Sequence, residues 1–211
     1  MLGARGGPGE DAHLRALRER LAGAAAREDL LDVAYRTVDS PVGPLLLAAT
    51  PRGVARVAFA REDHDAVLAQ LAARLGPRVL RAPAPLEAAA RQLEEYFAGR
   101  RRAFDVPLDP SLAGGFRREV LTALRELPYG TTATYARVAE AVGSPRAVRA
   151  VGTACARNPL PLLVPCHRVV RADGSAGGYL GGPEAKRLLL RLEGAPAHGS
   201  TATGARGRVC P

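Results

Sequence analysis

A thiol, an imidazole and a guanidinium occupy consecutive positions at Cys166-His167-Arg168, directly after Pro165. A free cysteine is most often a small core hydrophobe. That reading suits Cys155, which falls on an Ala/Val helical face. Cys166 differs because cations follow it, and nearby positive charge favours the nucleophilic thiolate. In extended backbone, adjacent side chains point to opposite faces. Cys166 and His167 are then expected not to touch, and a bridging water would relay the proton between them. An imidazole base is helped by a carboxylate that orients it. The next acids are Asp173, Glu184 and Glu193. Asp173-Gly174 reads as a turn. Glu193 ends the apolar helix Ala185 to Leu192, where a solvent-facing carboxylate is disfavoured by the helix dipole. Glu193 is therefore the candidate partner, with a plain surface glutamate as the alternative.

The elements around this site read as a helix-turn-helix. Thr134 can N-cap a short helix carrying Tyr135, Val138, Ala139 and Val142, which Gly143 ends. Ser144-Pro145 predicts a second helix start, with Ser as N-cap and Pro at the first position. Ala147, Ala150, Gly152 and Ala154 would let that helix approach another surface closely. From Ala141 to Ala172 there is no acid, yet Arg146, Arg149, Arg157, Arg168 and Arg171 all occur. Such a stretch suits a phosphate backbone, although a solvated helical pair has the same composition. The glycine-rich Gly177-Gly178-Tyr179-Leu180-Gly181-Gly182 lacks the Lys-Ser/Thr ending of a P-loop. With Tyr179 at its centre it reads as a flexible wall for a planar base, with a simple glycine linker as the alternative.

Upstream, Tyr35 to Val38, Leu45 to Ala49 and the Val54, Val57, Phe59 set predict an antiparallel meander. Helices are expected over 63–75 and 86–98, the second with Leu86, Ala90, Leu93 and Phe97 inward. Phe104, Val106 and Leu108 alternate as in a strand, and Asp109-Pro110-Ser111 reads as a linker. This half carries no catalytic signal and reads as a scaffold. Residues 1–32 form an extension in which Leu14, Leu17 and Leu21 lie at helical spacing. Residues 33–110 form the scaffold domain, and 111–195 a DNA-binding domain that carries the cysteine site. Residues 196–211 form a Gly/Ala/Thr/Ser-rich tail expected to be disordered.

The 211 residues carry 30 Lys and Arg against 21 Asp and Glu, a formal charge of +9. Lys186 is the only lysine, so the positive charge is nearly all arginine, which suits phosphate and guanine contacts. Three cysteines without framework spacing argue against a disulfide-stapled secreted domain. No zinc-ligand spacing is present, and no metal or cofactor is expected. Without a signal peptide or membrane-length apolar run, the expectation is a cytoplasmic protein, nucleoid-associated in a bacterium, with no membrane partner.

Taken together, Arg149-Ala150-Val151-Gly152, Asn158-Pro159, Pro165-Cys166-His167-Arg168-Val169-Val170, Gly178-Tyr179 and Leu192-Glu193-Gly194 resemble the O6-alkylguanine-DNA alkyltransferases. The resemblance runs from Tyr35 through Gly194. It implies an α/β (α+β) architecture: a small ribonuclease-H-like N-terminal domain and a helical, winged-helix-like C-terminal domain with the helix-turn-helix. It implies single-turnover repair of O6-alkylguanine, and less efficiently O4-alkylthymine, in double-stranded DNA approached through the minor groove by a monomer. The resemblance makes Cys166 the alkyl acceptor, His167 its water-mediated base and Glu193 the residue holding His167. Asn158 would brace the turn. Tyr135 would donate to a ring nitrogen of the flipped guanine, and Arg149 would fill the vacated stack. The carbonyls of Cys166 and Val169 would accept from the exocyclic amine, the Leu180 amide would donate to O6, and Tyr179 would line the pocket. Leu180 replaces a small residue usual in the family, which bears on pocket size. A lesion-binding relative that lacks the acceptor thiol is disfavoured by the presence of Cys166. A helix-turn-helix transcription factor with a redox cysteine gives Asn158 and Glu193 no role.

Overall fold

The structure is a computed structural model that describes residues 8–28 and 30–195. The expected disordered tail and Cys210 lie outside the described residues. Helix α1 (Pro8–Arg27) precedes strands β1 (Val33–Val38), β2 (Leu45–Thr50) and β3 (Gly53–Phe59). Then come α2 (His64–Leu75), the short strand β4 (Val79–Arg81) and α3 (Glu87–Phe97). The second half holds α4 (Phe116–Arg125), β5 (Ala133–Thr134), α5 (Tyr135–Ala141), α6 (Val148–Ala156), β6 (Val169–Val170) and α7 (Gly182–Leu192). The result is an α/β N-terminal unit and a mainly helical C-terminal unit. No helix among the described residues is long and apolar enough to cross a membrane.

The meander is an antiparallel β1–β2–β3 sheet, with β4 added in parallel beside β1, giving the order β3-β2-β1-β4. β2 is buried along Leu45–Ala49, so it reads as a continuous apolar run rather than an alternating one. Leu45, Leu47, Val57 and Phe59 face α3 and the second half, in one core with Leu93, Tyr96, Leu124, Val151 and Leu189. Leu46, Ala48 and Ala58 face α2 through Val67 and Leu71. Because the first core spans both halves, their packing is continuous.

Several sequence expectations change. Residues 104–108 form no strand; Val54 makes a single bridge to Leu108, because Pro107 cannot donate within a ladder. Asp109-Pro110-Ser111 is not a linker but the start of a 3-10 turn over Pro110–Leu112. Asp109 is 1% exposed there and accepts from Thr50, Arg52 and Ser111. Ser144 does not cap the second helix: Ser144–Ala147 closes a turn, with the Ala147 amide on the Ser144 carbonyl, and α6 starts at Val148. Thr134 does cap α5, accepting from the Arg137 amide at 3.1 Å. Leu14, Leu17 and Leu21 lie on α1 but are exposed; the helix is anchored through Ala22, which meets Leu31, Ala34 and Ala82. In α3 the fully buried ring is Tyr96, whereas Ala90 and Phe97 are half-buried.

Candidate active site

Cys166, His167 and Arg168 form a single 3-10 turn, not extended backbone. The Arg168 amide bonds the Pro165 carbonyl at 3.0 Å, and the Val169 amide bonds the Cys166 carbonyl. Three residues per turn spread successive side chains by about 120°. Cys166 and His167 therefore point apart, and the Arg168 guanidinium reaches Glu193 alongside His167.

Cys166 is 3% exposed. Asn158, fully buried, donates from Nδ2 to Cys166 Sγ at 3.1 Å and to the Val164 carbonyl at 2.9 Å. Its Oδ1 accepts from the Leu160 amide at 2.9 Å. One side chain thus ties both ends of the 158–166 loop to the sulfur. Burial pushes the Cys166 thiol up to about 11, against opposing contributions from Asn158 and Lys186. This corrects the expectation of a cation-stabilised thiolate. Arg168 is spent on Glu193, and desolvation dominates at the sulfur.

His167 is fully buried, with Nε2 2.8 Å from Glu193 Oε1. Glu193 is the C-cap of α7 and is 5% exposed. Its Oε1 also accepts from Arg168 Nη2 at 2.9 Å and from the Tyr96 hydroxyl at 2.7 Å. Its Oε2 accepts from Arg168 Nε at 2.8 Å and from the Gly130 amide at 3.2 Å. Burial opposes its charge, but the His167 and Arg168 hydrogen bonds prevail and hold it well below the usual carboxylate range. An ionised Glu193 accepts only, so Nε2 carries the imidazole proton and Nδ1 is left as an acceptor. Nδ1 is buried without a hydrogen-bond partner among the described residues. Burial lowers the His167 pKa, so the ring is neutral and able to take a proton.

Tyr135 opens α5, and burial first, then any charge on Cys155 or Cys166, pushes its hydroxyl pKa up. A Cβ on Gly177, at φ +62°, would stand 3.0 Å from the Tyr135 hydroxyl, so the loop runs close over that ring. Tyr179 packs edge-on to Phe59 at 5.4 Å and to His167 at 6.3 Å between centroids. Gly181 lies against the Phe59 ring, which a Cβ would meet at 2.7 Å. Leu180 lines a cavity of about 220 Å³ between the halves, with Arg56, Glu62, Arg157 and Asn158. The two carbonyls assigned to an exocyclic amine already accept one bond each: Cys166 from the Val169 amide, and Val169 from Lys186 Nζ at 2.6 Å.

The fold thus gathers Cys166, Asn158, His167 and Glu193, with Tyr135, Val169, Tyr179 and Leu180 at the margin. Arg149 stands apart, exposed at the start of α6. Arg146, Arg157 and Arg171 are exposed too, but Arg168 is buried and belongs to the core network, not to a charged surface. Sequence reasoning missed three participants. Arg168 was counted with the surface cations. Tyr96 lies 70 positions before Cys166 in the sequence, and nothing local marks it. Lys186 has one detectable signal, its solitary place on an apolar helix.

The geometry fits what is found among known proteins. The profile of the 6-O-methylguanine DNA methyltransferase ribonuclease-like domain matches residues 33–110, and that of its DNA binding domain matches residues 115–195. The methylated-DNA–protein-cysteine methyltransferase of Methanosarcina acetivorans is 40% identical over 167 residues, 76% of this chain and 97% of that protein. The crystal structure of Mycobacterium tuberculosis O6-methylguanine methyltransferase superposes with a TM-score of 0.67 at 40% identity, covering 78% of this chain and 96% of that one. That of Mycobacterium tuberculosis OGT in complex with DNA gives 0.65 at 39% identity, with the same coverage. With both family domains matched and such relatives covered nearly end to end, this chain belongs to the methylated-DNA–protein-cysteine methyltransferase family.

Proposed function

We propose that the protein repairs DNA by direct reversal, moving the alkyl group of O6-alkylguanine, and less efficiently of O4-alkylthymine, irreversibly onto its own Cys166. The observation that carries this reading is the continuous run Asn158–Cys166 and His167–Glu193, with the thiol and a neutral imidazole on successive residues of one buried turn. Residues 33–110 are the scaffold and 111–195 the part that engages DNA and accepts the alkyl group.

A water bridging Cys166 Sγ and the free His167 Nδ1 carries the thiol proton to the imidazole, whose Nε2–H is held by Glu193. Sulfur then attacks the alkyl carbon, the carbon–O6 bond breaks, and its electron pair stays on guanine. A proton taken up by the leaving base restores guanine, so thiol plus alkylguanine gives thioether plus guanine. Tyr135 donates to a ring nitrogen, the Leu180 amide to O6, and the carbonyls of Cys166 and Val169 accept from the exocyclic amine. The Tyr179 ring, fixed between Phe59 and His167, walls the base. Asn158 braces the loop that presents the sulfur.

The target lies inside the duplex, so the base must be flipped out. Arg149, exposed at the start of a helix whose surface includes Ala150 and Thr153, enters the vacated stack from the minor groove in this reading. One copy carries every group the reaction uses, so the protein acts as a monomer. Incubation with duplex DNA containing O6-methylguanine, followed by peptide mass spectrometry, tests the reading. It requires one added methyl on Cys166; a methyl on Cys155 or Cys210 instead, or none, overturns it.

A further inference from the structure

The N-terminal half was read as a scaffold without chemistry, yet it supplies one of the donors on Glu193. Tyr96 sits in the last turn of α3 and is fully buried. Its hydroxyl lies 2.7 Å from Glu193 Oε1, the same oxygen that His167 Nε2 approaches at 2.8 Å. The ring is gripped on several sides. Phe97 and Phe104 lie at 5.4 and 5.3 Å and Tyr129 at 6.2 Å between centroids. A side chain so confined aims its hydroxyl at one point.

We propose that Tyr96 is a positioning residue of the acceptor centre, whose hydroxyl caps Oε1 of Glu193 and thereby sets how strongly that carboxylate draws on His167. The proposal rests on the alkyl-transfer reading and deepens it. Each donor on a carboxylate takes a share of its charge. A more fully satisfied Glu193 attracts a proton on the imidazole less, so His167 stays neutral to lower pH. The hydroxyl remains a donor throughout, because burial, and then the Glu193 charge, push its own ionisation far above the working range. The centre thereby depends on docking of the two halves. The same junction is held by the Val57 amide on the Pro159 carbonyl at 2.8 Å and by Arg56 on the Asn158 carbonyl at 3.4 Å.

The other groups facing this pair are accounted for. Arg168 comes from the 3-10 turn, and the Gly130 amide from the loop after α4. Tyr129 donates its hydroxyl to the Leu192 carbonyl and has Arg102 and Arg168 over its ring. Tyr179 packs on His167, and the charge of Lys186, from α7, acts to lower the His167 pKa. None of these contacts is altered by removing one oxygen from Tyr96.

The test is Tyr96→Phe, which keeps the ring. Single-turnover methyl transfer from a free O6-methylguanine base is followed from pH 5 to pH 9, together with the 15N and 1H resonances of the His167 ring. Loss of the donor is expected to raise the His167 titration and the acid limb of the rate profile together, by about half a unit to one unit. DNA affinity is expected to stay within about twofold, since the phosphate-facing arginines are untouched. Site-specific 3-fluorotyrosine at position 96, a stronger donor, is expected to move both in the opposite direction. This holds the proposal open to refutation even where Tyr96→Phe folds poorly. A His167 titration and acid limb unchanged in a folded variant overturn it. If the unaltered protein places no methyl on Cys166, the alkyl-transfer reading fails instead, and the imidazole resonances still report whether Tyr96 acts on His167.

Discussion

Asn158 and Cys166 are joined by a hydrogen bond from the amide Nδ2 to Sγ at 3.1 Å, and the same nitrogen holds the Val164 carbonyl. The intervening loop stores strain: Leu162, 1% exposed, is held at φ 75°, a left-handed conformation costly for a bulky side chain. Asn158→Ala would leave the Leu160 amide unpaired in the core, while the Val164 carbonyl keeps its bond from the Cys166 amide at 2.8 Å. Stability is expected to fall by roughly 1–3 kcal/mol, the cost of one buried orphan. The thiol should titrate higher than in the unaltered protein, where burial sets it at about 11 and Asn158 opposes the rise. Urea unfolding, with thiolate absorbance against pH, checks both. A thiolate appearing at lower pH would show that Asn158 does not act on the sulfur.

Cys166→Ser is expected to abolish alkyl transfer and to leave DNA affinity within about twofold, because affinity comes from arginine–phosphate contacts. Arg146, Arg149, Arg157 and Arg171 are exposed while Cys166 is buried, so the substitution does not touch the charged face. Gel-shift titration at fixed salt, alongside a transfer assay, separates the two effects. Residual transfer in the serine variant would assign the acceptor elsewhere.

Arg149→Ala is expected to slow repair of duplex DNA by about tenfold or more and to change reaction with a free O6-alkylguanine base little. Unstacking and unpairing cost a few kcal/mol, each 1.4 kcal/mol is tenfold, and a free base needs neither. Arg149 is exposed and remote from the Glu193 network, so its loss should not disturb the chemistry. Equal losses on both substrates would move Arg149 from base flipping to support of the fold.

The meander, the paired short helices and the helix bearing Glu193 were legible because each follows from a local rule: apolar spacing, the Thr134 cap, or glycine at a helix end. The candidate site was legible only where its members are close in sequence. The turn at 166–168 was not, since nothing local shows that Pro165 starts a 3-10 turn, and this decides which way His167 and Arg168 face. Arg168 was misplaced on the surface because composition counts charge without its partner, here a carboxylate 25 positions on. Tyr96 was invisible for the same reason at longer range: α3 periodicity marks it as inward at most, and its hydroxyl finds a use only when the two halves dock. The predicted strand at 104–108 failed because Pro107 interrupts the ladder that alternation suggested.

Glu193→Gln carries two consequences that the sequence alone would have merged. As an isolated end-of-helix acid, Glu193 could lose its charge with little effect on folding. As a buried carboxylate with donors from Tyr96, His167, Arg168 and Gly130, it cannot. The amide leaves Arg168, 6% exposed, without its counter-charge, and breaking a buried pair on one side costs about 3 kcal/mol or more. The sign of the pH dependence follows from the lowered pKa of Glu193. A depressed folded-state value contributes stability that is fully present above the unfolded value, near 4.5, and is lost as pH falls below it. Unfolding free energy of the unaltered protein should therefore drop on acidification below about pH 5, and this component should be missing in Glu193→Gln. Transfer should also slow at neutral pH, because the imidazolium formed when His167 takes the thiol proton loses its stabilising charge. The double substitution Glu193→Gln with Arg168→Met separates the effects. Removing the stranded cation should recover much of the stability, since buried pairs are often replaced by apolar groups without loss, whereas the transfer rate should stay low. Recovery of both together would make the Glu193 contribution purely structural and leave His167 without a carboxylate in the mechanism.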